Sequence, residues 1–188
     1  FYFNAYDLPS RTTSGMTTLY LHEGAPGHHF QISIAQENDK LPAFMRFGGN
    51  TAYVEGWALY AETLGYDMGL FKDPYQRFGT LSDEMLRAMR LVVDTGIHSM
   101  GWTRDQALAW WHEHLPGQEG IAEREVDRVI RWPAQVVSYK AGEHAFLDLR
   151  ALAEAHGMDV REFHTLALSR GSLPLAVLRE VVADAIGS

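Results

Sequence analysis

Apolar residues recur at helical spacing along most of the chain, and strand-like alternation is confined to its first stretch. Residues 1–9 (FYFNAYDLP) alternate roughly apolar and polar and end at Pro9-Ser10, which predicts a short extended segment. Residues 12–36 carry a helical pattern broken by Gly24-Ala25-Pro26-Gly27. A second helix is predicted over 51–68. The longest covers 75–100, with Leu81, Met85, Met89, Val92, Val93 and Ile97 near helical spacing and Gly101 as its stop. Thr103 and Gln106 form a capping box for a helix that ends before Pro116-Gly117. Another covers 119–131. Pro133 suits the first position of a helix running to about His156, with Gly157 closing it. Asp159 to Glu162 cap a short helix ending at Gly171, and Pro174 opens the last one. The pattern predicts a mainly α protein, one domain over residues 1–188, with no linker that would divide it.

The 188 residues carry 16 Lys plus Arg against 24 Asp plus Glu, a formal net charge of −8. That balance argues against nucleic acid or an anionic membrane as partner, both of which ask for basic clusters. The absence of cysteine removes disulfides, Cys-ligated zinc, iron–sulfur clusters and a thiol nucleophile. No apolar run reaches the ~18 residues of a membrane span. Phe1-Tyr2-Phe3-Asn4 has neither the basic region nor the apolar core of a signal peptide. Cytoplasmic and periplasmic or secreted locations both stay open. The chain begins without Met, as a fragment or processed product would.

Chemistry concentrates in Tyr20-Leu21-His22-Glu23-Gly24-Ala25-Pro26-Gly27-His28-His29-Phe30-Gln31. Zinc peptidases of the His-Glu-x-x-His type place two histidines at i and i+4 on one helix face, with the glutamate as base. Here i+4 is Pro26. On a straight helix His28 would lie about 240° around from His22, and His29 would share its face but sit about 10 Å along the axis. Pro26 disrupts such a helix, while Gly24 and Gly27 admit unusual dihedrals, so a bulge would bring His28 to the place of i+4. The alternative is a helix–turn–helix with solvated histidines. A third ligand is sought in Thr51–Glu62 (TAYVEGWALYAE), where Glu55 stands among apolar and aromatic residues and needs a cation or donors. Glu62, seven residues on, shares its face; pairing of both carboxylates with Arg87 or Arg90 is the competing reading.

HEGAPGHHFQ, TAYVEGWALYAE, RLVVDTGIHSMGW and PAQVVSYKAGE together resemble the DUF885 family of bacterial proteins. That family is similar to the helical gluzincin metallopeptidases, among them the thermostable carboxypeptidase, oligopeptidase and angiotensin-converting-enzyme groups. The resemblance implies a gluzincin-like metallopeptidase half, the C-terminal part of a longer member. It implies Zn²⁺ held by His22, His28 and Glu55, Glu23 as general base, and a peptide substrate. Tyr139, in Val137–Gly142, resembles the late-helix tyrosine that donates to the oxyanion in related enzymes, with His98 as a further donor. It also implies an exposed apolar patch and low activity in isolation, the partner being a missing N-terminal half or a second copy. The residues alone also permit a metal-dependent hydrolase of another amide, or a non-catalytic metal-binding or scaffold fragment.

Arg87, Arg90, Asp94 and His98 form one polar stripe on the long helix, solvated or lining a cavity, of which the resemblance favours the cavity, with Asp94 and His98 spaced to hydrogen-bond. The extended Phe3-Asn4-Ala5-Tyr6 could offer a strand edge to a peptide. His112 and His114, two apart, fall on different helix faces and read as surface.

Overall fold

A computed structural model describes residues 12–116 and 119–187, and among these the regular elements are ten helices, with no strand. They are α1 (Met16–Glu23), α2 (His28–Glu37), α3 (Ala43–Phe47), α4 (Thr51–Asp67), α5 (Pro74–His98), α6 (Arg104–His114), α7 (Glu119–Arg131), α8 (Val137–Ala155), α9 (Val160–Leu168) and α10 (Leu175–Ile186). No described helix is long and apolar enough to cross a membrane. The extended segment predicted over residues 1–9, with its strand edge, lies outside the described residues.

Start signals are carried by short polar side chains. Thr103 with Gln106 and Asp159 with Glu162 form the predicted capping boxes, and Asp73 with Gln76 forms a third ahead of Pro74. Three details differ from expectation. The pattern over 12–36 resolves into two separate helices. The short α3 follows Pro42 unannounced. Pro133 does not open α8, because the preceding turn is held from elsewhere: Ala134 takes φ 66° and donates its N–H to Asp94 Oδ2 at 3.0 Å. The helix begins only at Val137.

Two apolar clusters organise the packing. Trp57, Tyr60, Phe146, Leu149, Phe163 and Leu178 bind α4, α8, α9 and α10 together. Met89, Val93, Ala107, Trp111, Val126 and Val129 join α5, α6 and α7. The axis of the first is the α4–α8 pair, whose backbones touch at Gly56 and Gly142. A Cβ on Gly142 would overlap the Ala52 carbonyl oxygen and the Gly56 Cα.

α5 turns its polar stripe inward. Arg87, Arg90 and Asp94 are buried, and they reach α4, α7 and the turn before α8. Part of its apolar face looks out instead, with Leu81 56% exposed, and Phe78, Leu81 and Met85 border a surface groove of about 500 Å³.

Candidate metal centre

α1 ends on His22-Glu23, and His22 is buried there with Leu21. The chain then folds back on itself. Gly24 N–H closes the last turn onto the Tyr20 carbonyl at 2.8 Å. Gly27 packs so tightly against that turn that a Cβ would overlap the carbonyl oxygens of Leu21 and His22. Trp57 of α4 ties the loop down by donating Nε1–H to the Pro26 carbonyl at 2.8 Å. The break is therefore a junction between two helices, tighter than a bulge within one. Its effect is the expected one for His28, the first residue of α2, whose ring centroid stands 4.6 Å from that of His22. His29 points away and is exposed.

His22, His28 and Glu55 form a cluster able to hold a metal ion, with donor atoms all within 4.8 Å of one another. Glu55 Oε2 is 3.3 Å from His28 Nε2 and 3.7 Å from His22 Nε2. It is buried and makes no hydrogen bond. Ligand atoms around a tetrahedral Zn²⁺ with bonds near 2.0–2.1 Å are themselves about 3.3–3.5 Å apart. The donors present, two imidazole nitrogens and one carboxylate oxygen, fit such an ion in kind, and the distances of 3.3 and 3.7 Å from the carboxylate oxygen to the two nitrogens lie near that spacing.

Behind the cluster lies a layer of oriented charge. His22 Nδ1 and Glu62 Oε1 are 2.7 Å apart, which leaves Nε2 to face Glu55. Glu62 also accepts from Arg87 at 3.1 Å, and Arg87 lies 3.4 Å from Asp83. A ligand histidine held by a carboxylate through its other nitrogen is the usual support of a metal site. Burial alone would lower the pKa of His22; Glu55 and Glu62 overcome it and raise the value to about 9. Burial alone would raise that of Glu55; His22, His28 and Tyr139 pull it down to about 2.

The other side of Glu55 meets α7 and α8. Gln135 donates Nε2–H to Glu55 Oε1 at 3.2 Å. Arg128 donates to Gln135 Oε1 at 2.9 Å and to the Tyr139 hydroxyl at 3.2 Å. The Tyr139 ring stacks 6.3 Å from that of His22, with the Arg90 guanidinium over it at 5.1 Å. Arg90 is in turn held by Glu125 at 2.6 and 3.0 Å.

Of the residues singled out in the sequence, His22, His28, Glu55 and Tyr139 come together. Glu23 ends α1 beside His22 but is exposed and has no ion pair among the described residues. The structure does not bring His98 to the cluster. It is exposed, about 12 Å of helix axis beyond Arg90, and its Nε2 bonds to the Val129 carbonyl at 2.9 Å. Asp94 engages Ala134, so the expected Asp94–His98 hydrogen bond is not made. His114 is exposed and bonds within its own helix. Sequence reasoning missed Arg128 and Gln135. Their positions on α7 and in the turn before α8 carry no spacing signal relative to His22, since the contacts are made across helices.

A helical protein with a partly buried His–His–Glu cluster is the class that fold and site define. Residues 1–182 match the family described as bacterial protein of unknown function (DUF885), and the chain belongs to that family. The chain is similar to a solved structure from Colwellia psychrerythraea described as a "putative lipoprotein", with 39% identity and a TM-score of 0.93, over 98% of this chain and 32% of that one. It is similar also to a "putative lipoprotein of unknown function" from Shewanella oneidensis, with 28% identity and a TM-score of 0.79, over 88% of this chain and 31% of that one. The chain thus spans about a third of the length of these solved proteins. No curated protein matches it.

Proposed function

We propose that this chain carries the metal centre of a zinc-dependent peptidase of the helical gluzincin type. The observation that carries the reading is the convergence of His22 Nε2 and His28 Nε2, at 3.7 and 3.3 Å, on a buried Glu55 Oε2 that makes no hydrogen bond. His22, His28 and Glu55 would hold the ion and leave its fourth position open, as catalytic zinc requires. When bound, zinc supplies Lewis acidity and an acidified water. Glu23 would serve as the general base, taking a proton from the attacking water and giving it to the leaving amine. The Tyr139 hydroxyl donates to the developing oxyanion, its direction set by Arg128 and Gln135. Glu62 holds His22 in the tautomer that presents Nε2. The substrate is a peptide, and the remaining walls of its cleft belong to another part of a longer protein or to a second copy. The description of two relatives as lipoproteins favours work at the cell envelope.

A metal-binding module without hydrolysis is the second reading, favoured by the exposure of Glu23 and its lack of a partner. A hydrolase of a non-peptide amide would use the same residues. Metal analysis and peptide-library digestion of the full-length protein test the choice, with Glu23→Gln as the decisive variant. About one zinc per chain is expected in both proteins, with turnover reduced by ~10²–10⁴-fold in the variant. Undiminished hydrolysis by zinc-loaded Glu23→Gln would remove the proposed base. Zinc binding with no cleavage of any peptide would favour the module.

A further inference from the structure

Arg128 differs from the other cations packed around this site. Arg87 meets Glu62 and Asp83, Arg90 meets Glu125, and Lys140 meets Glu143 and Glu84. Arg128 is half-buried, yet its hydrogen bonds go to two neutral oxygens, those of Gln135 and Tyr139. Its buried Nε has no partner, and no carboxylate pairs with it among the described residues. A guanidinium partly withdrawn from water is costly without a counter-charge, and its planar fork suits a carboxylate bidentately. A groove opens onto it, about 310 Å³, lined by Arg124, Asp127, Arg128, Arg131 and Trp132. The one acid there is already taken, since Asp127 pairs with Arg104 at 2.7 Å. The groove is thus net positive on a chain whose formal charge is −8. Trp132, 63% exposed, gives it an apolar wall.

We propose that Arg128, in this arginine-lined groove, binds the free C-terminal carboxylate of a peptide substrate. Location favours the chain terminus as the source. Arg128 reaches Glu55 through Gln135 by bonds of 2.9 and 3.2 Å. That path keeps the guanidinium within about 8 Å of the metal ligand, no more than the span of one or two extended residues at ~3.3–3.6 Å each. A carboxylate seated there positions the last or second-last peptide bond over the cluster, with Trp132 against the terminal side chain. The scissile-bond assignment rests on the peptidase reading; the carboxylate site does not.

The test uses the full-length protein freed of metal and three peptides of one sequence. The first ends in a free carboxylate, the second in an amide, and the third in an amide with glutamate as its last residue. Calorimetry should show the free acid binding at least tenfold tighter than the plain amide. That preference should collapse in Arg128→Met and recover in part in Arg128→Lys, both checked for helical content. If Arg128→Met does not fold, Arg128→Lys is read alone and should lose the preference severalfold. Equal binding of acid and amide, or a preference unchanged in a folded variant, overturns the proposal. Tight binding of the glutamate amide would overturn the chain terminus as the source. Acid-selective binding that depends on Arg128, without cleavage of any peptide by the zinc-loaded protein, keeps this site and rejects the peptidase. Equal cleavage of acid and amide does the reverse.

Discussion

Glu62→Gln separates support of the metal site from the site itself. The substitution keeps length and one acceptor oxygen but removes the charge that faces both His22 Nδ1 at 2.7 Å and Arg87 at 3.1 Å. Hydrogen bonds to charged groups contribute about 1.5–3 kcal/mol each, and a buried ion pair that loses one partner costs about 3–5 kcal/mol. Arg87 keeps Asp83 at 3.4 Å, and glutamine keeps one bond, so the loss stays below that upper figure. We expect metal-free Glu62→Gln to unfold in urea with about 2–3 kcal/mol less stability than wild type. Zinc affinity, read by chelator competition, should fall about 10–100-fold, since His22 loses the carboxylate that orients it. Asp83→Asn is the control. The Asp83 side chain is 34% exposed, and its pair with Arg87 is worth about 1 kcal/mol or less. Stability within about 0.5 kcal/mol of wild type, together with unchanged zinc affinity in Glu62→Gln, would refute the supporting role.

His28→Ala should abolish stoichiometric zinc while His29→Ala keeps it, measured by metal analysis after dialysis; the opposite pattern would reverse the assignment of α2. Gly142→Ala should destabilise the protein by about 1–3 kcal/mol despite the better helix former, because the α4 and α8 backbones must part; a raised melting temperature would contradict that packing. Burial, helped by Arg150, holds the pKa of His164 below its ordinary value, so the folded state binds fewer protons than the unfolded chain. Stability should therefore fall as pH drops below about 6.5, and His164→Gln should flatten the melting-temperature profile between about pH 7 and 5; an unchanged slope would show that His164 does not titrate there.

Element existence was legible wherever a polar start signal preceded an apolar rhythm. The capping boxes at Thr103 and Asp159 mark α6 and α9, and the apolar rhythm marks α4 and α5. The orientation of α5 was not fixed by residue pattern alone, and only the family likeness favoured turning its polar stripe inward. Its stripe of Arg87, Arg90 and Asp94 has the composition of a solvated face, but its members are buried, with Arg87 paired to Glu62 on α4, Arg90 to Glu125 on α7 and Asp94 to the turn before α8. Pairing across helices leaves no trace in local periodicity. The start of α8 was misplaced for the same reason, since Asp94, 40 residues upstream of Ala134, holds the turn that delays it. Within the cluster, His22, Glu55 and His28 could be named from residue type, from the Gly/Pro interruption and from likeness to a family. Arg128 could not, because what sets it apart is a missing counter-ion.

The contact of Gly56 with Gly142 has a mechanical meaning for the site. Glu55 adjoins one of these glycines, and Tyr139 stands one turn before the other. Backbone rests on backbone there, without a compressible side chain between, so the two helices act as a strut that holds the carboxylate and the phenol at a set separation. His28 hangs from the Gly24–Gly27 junction. An ion of another radius would therefore be accommodated by movement of α2, and mutations that alter metal preference are expected to collect in that short loop and in Trp57, which pins it, leaving the strut untouched.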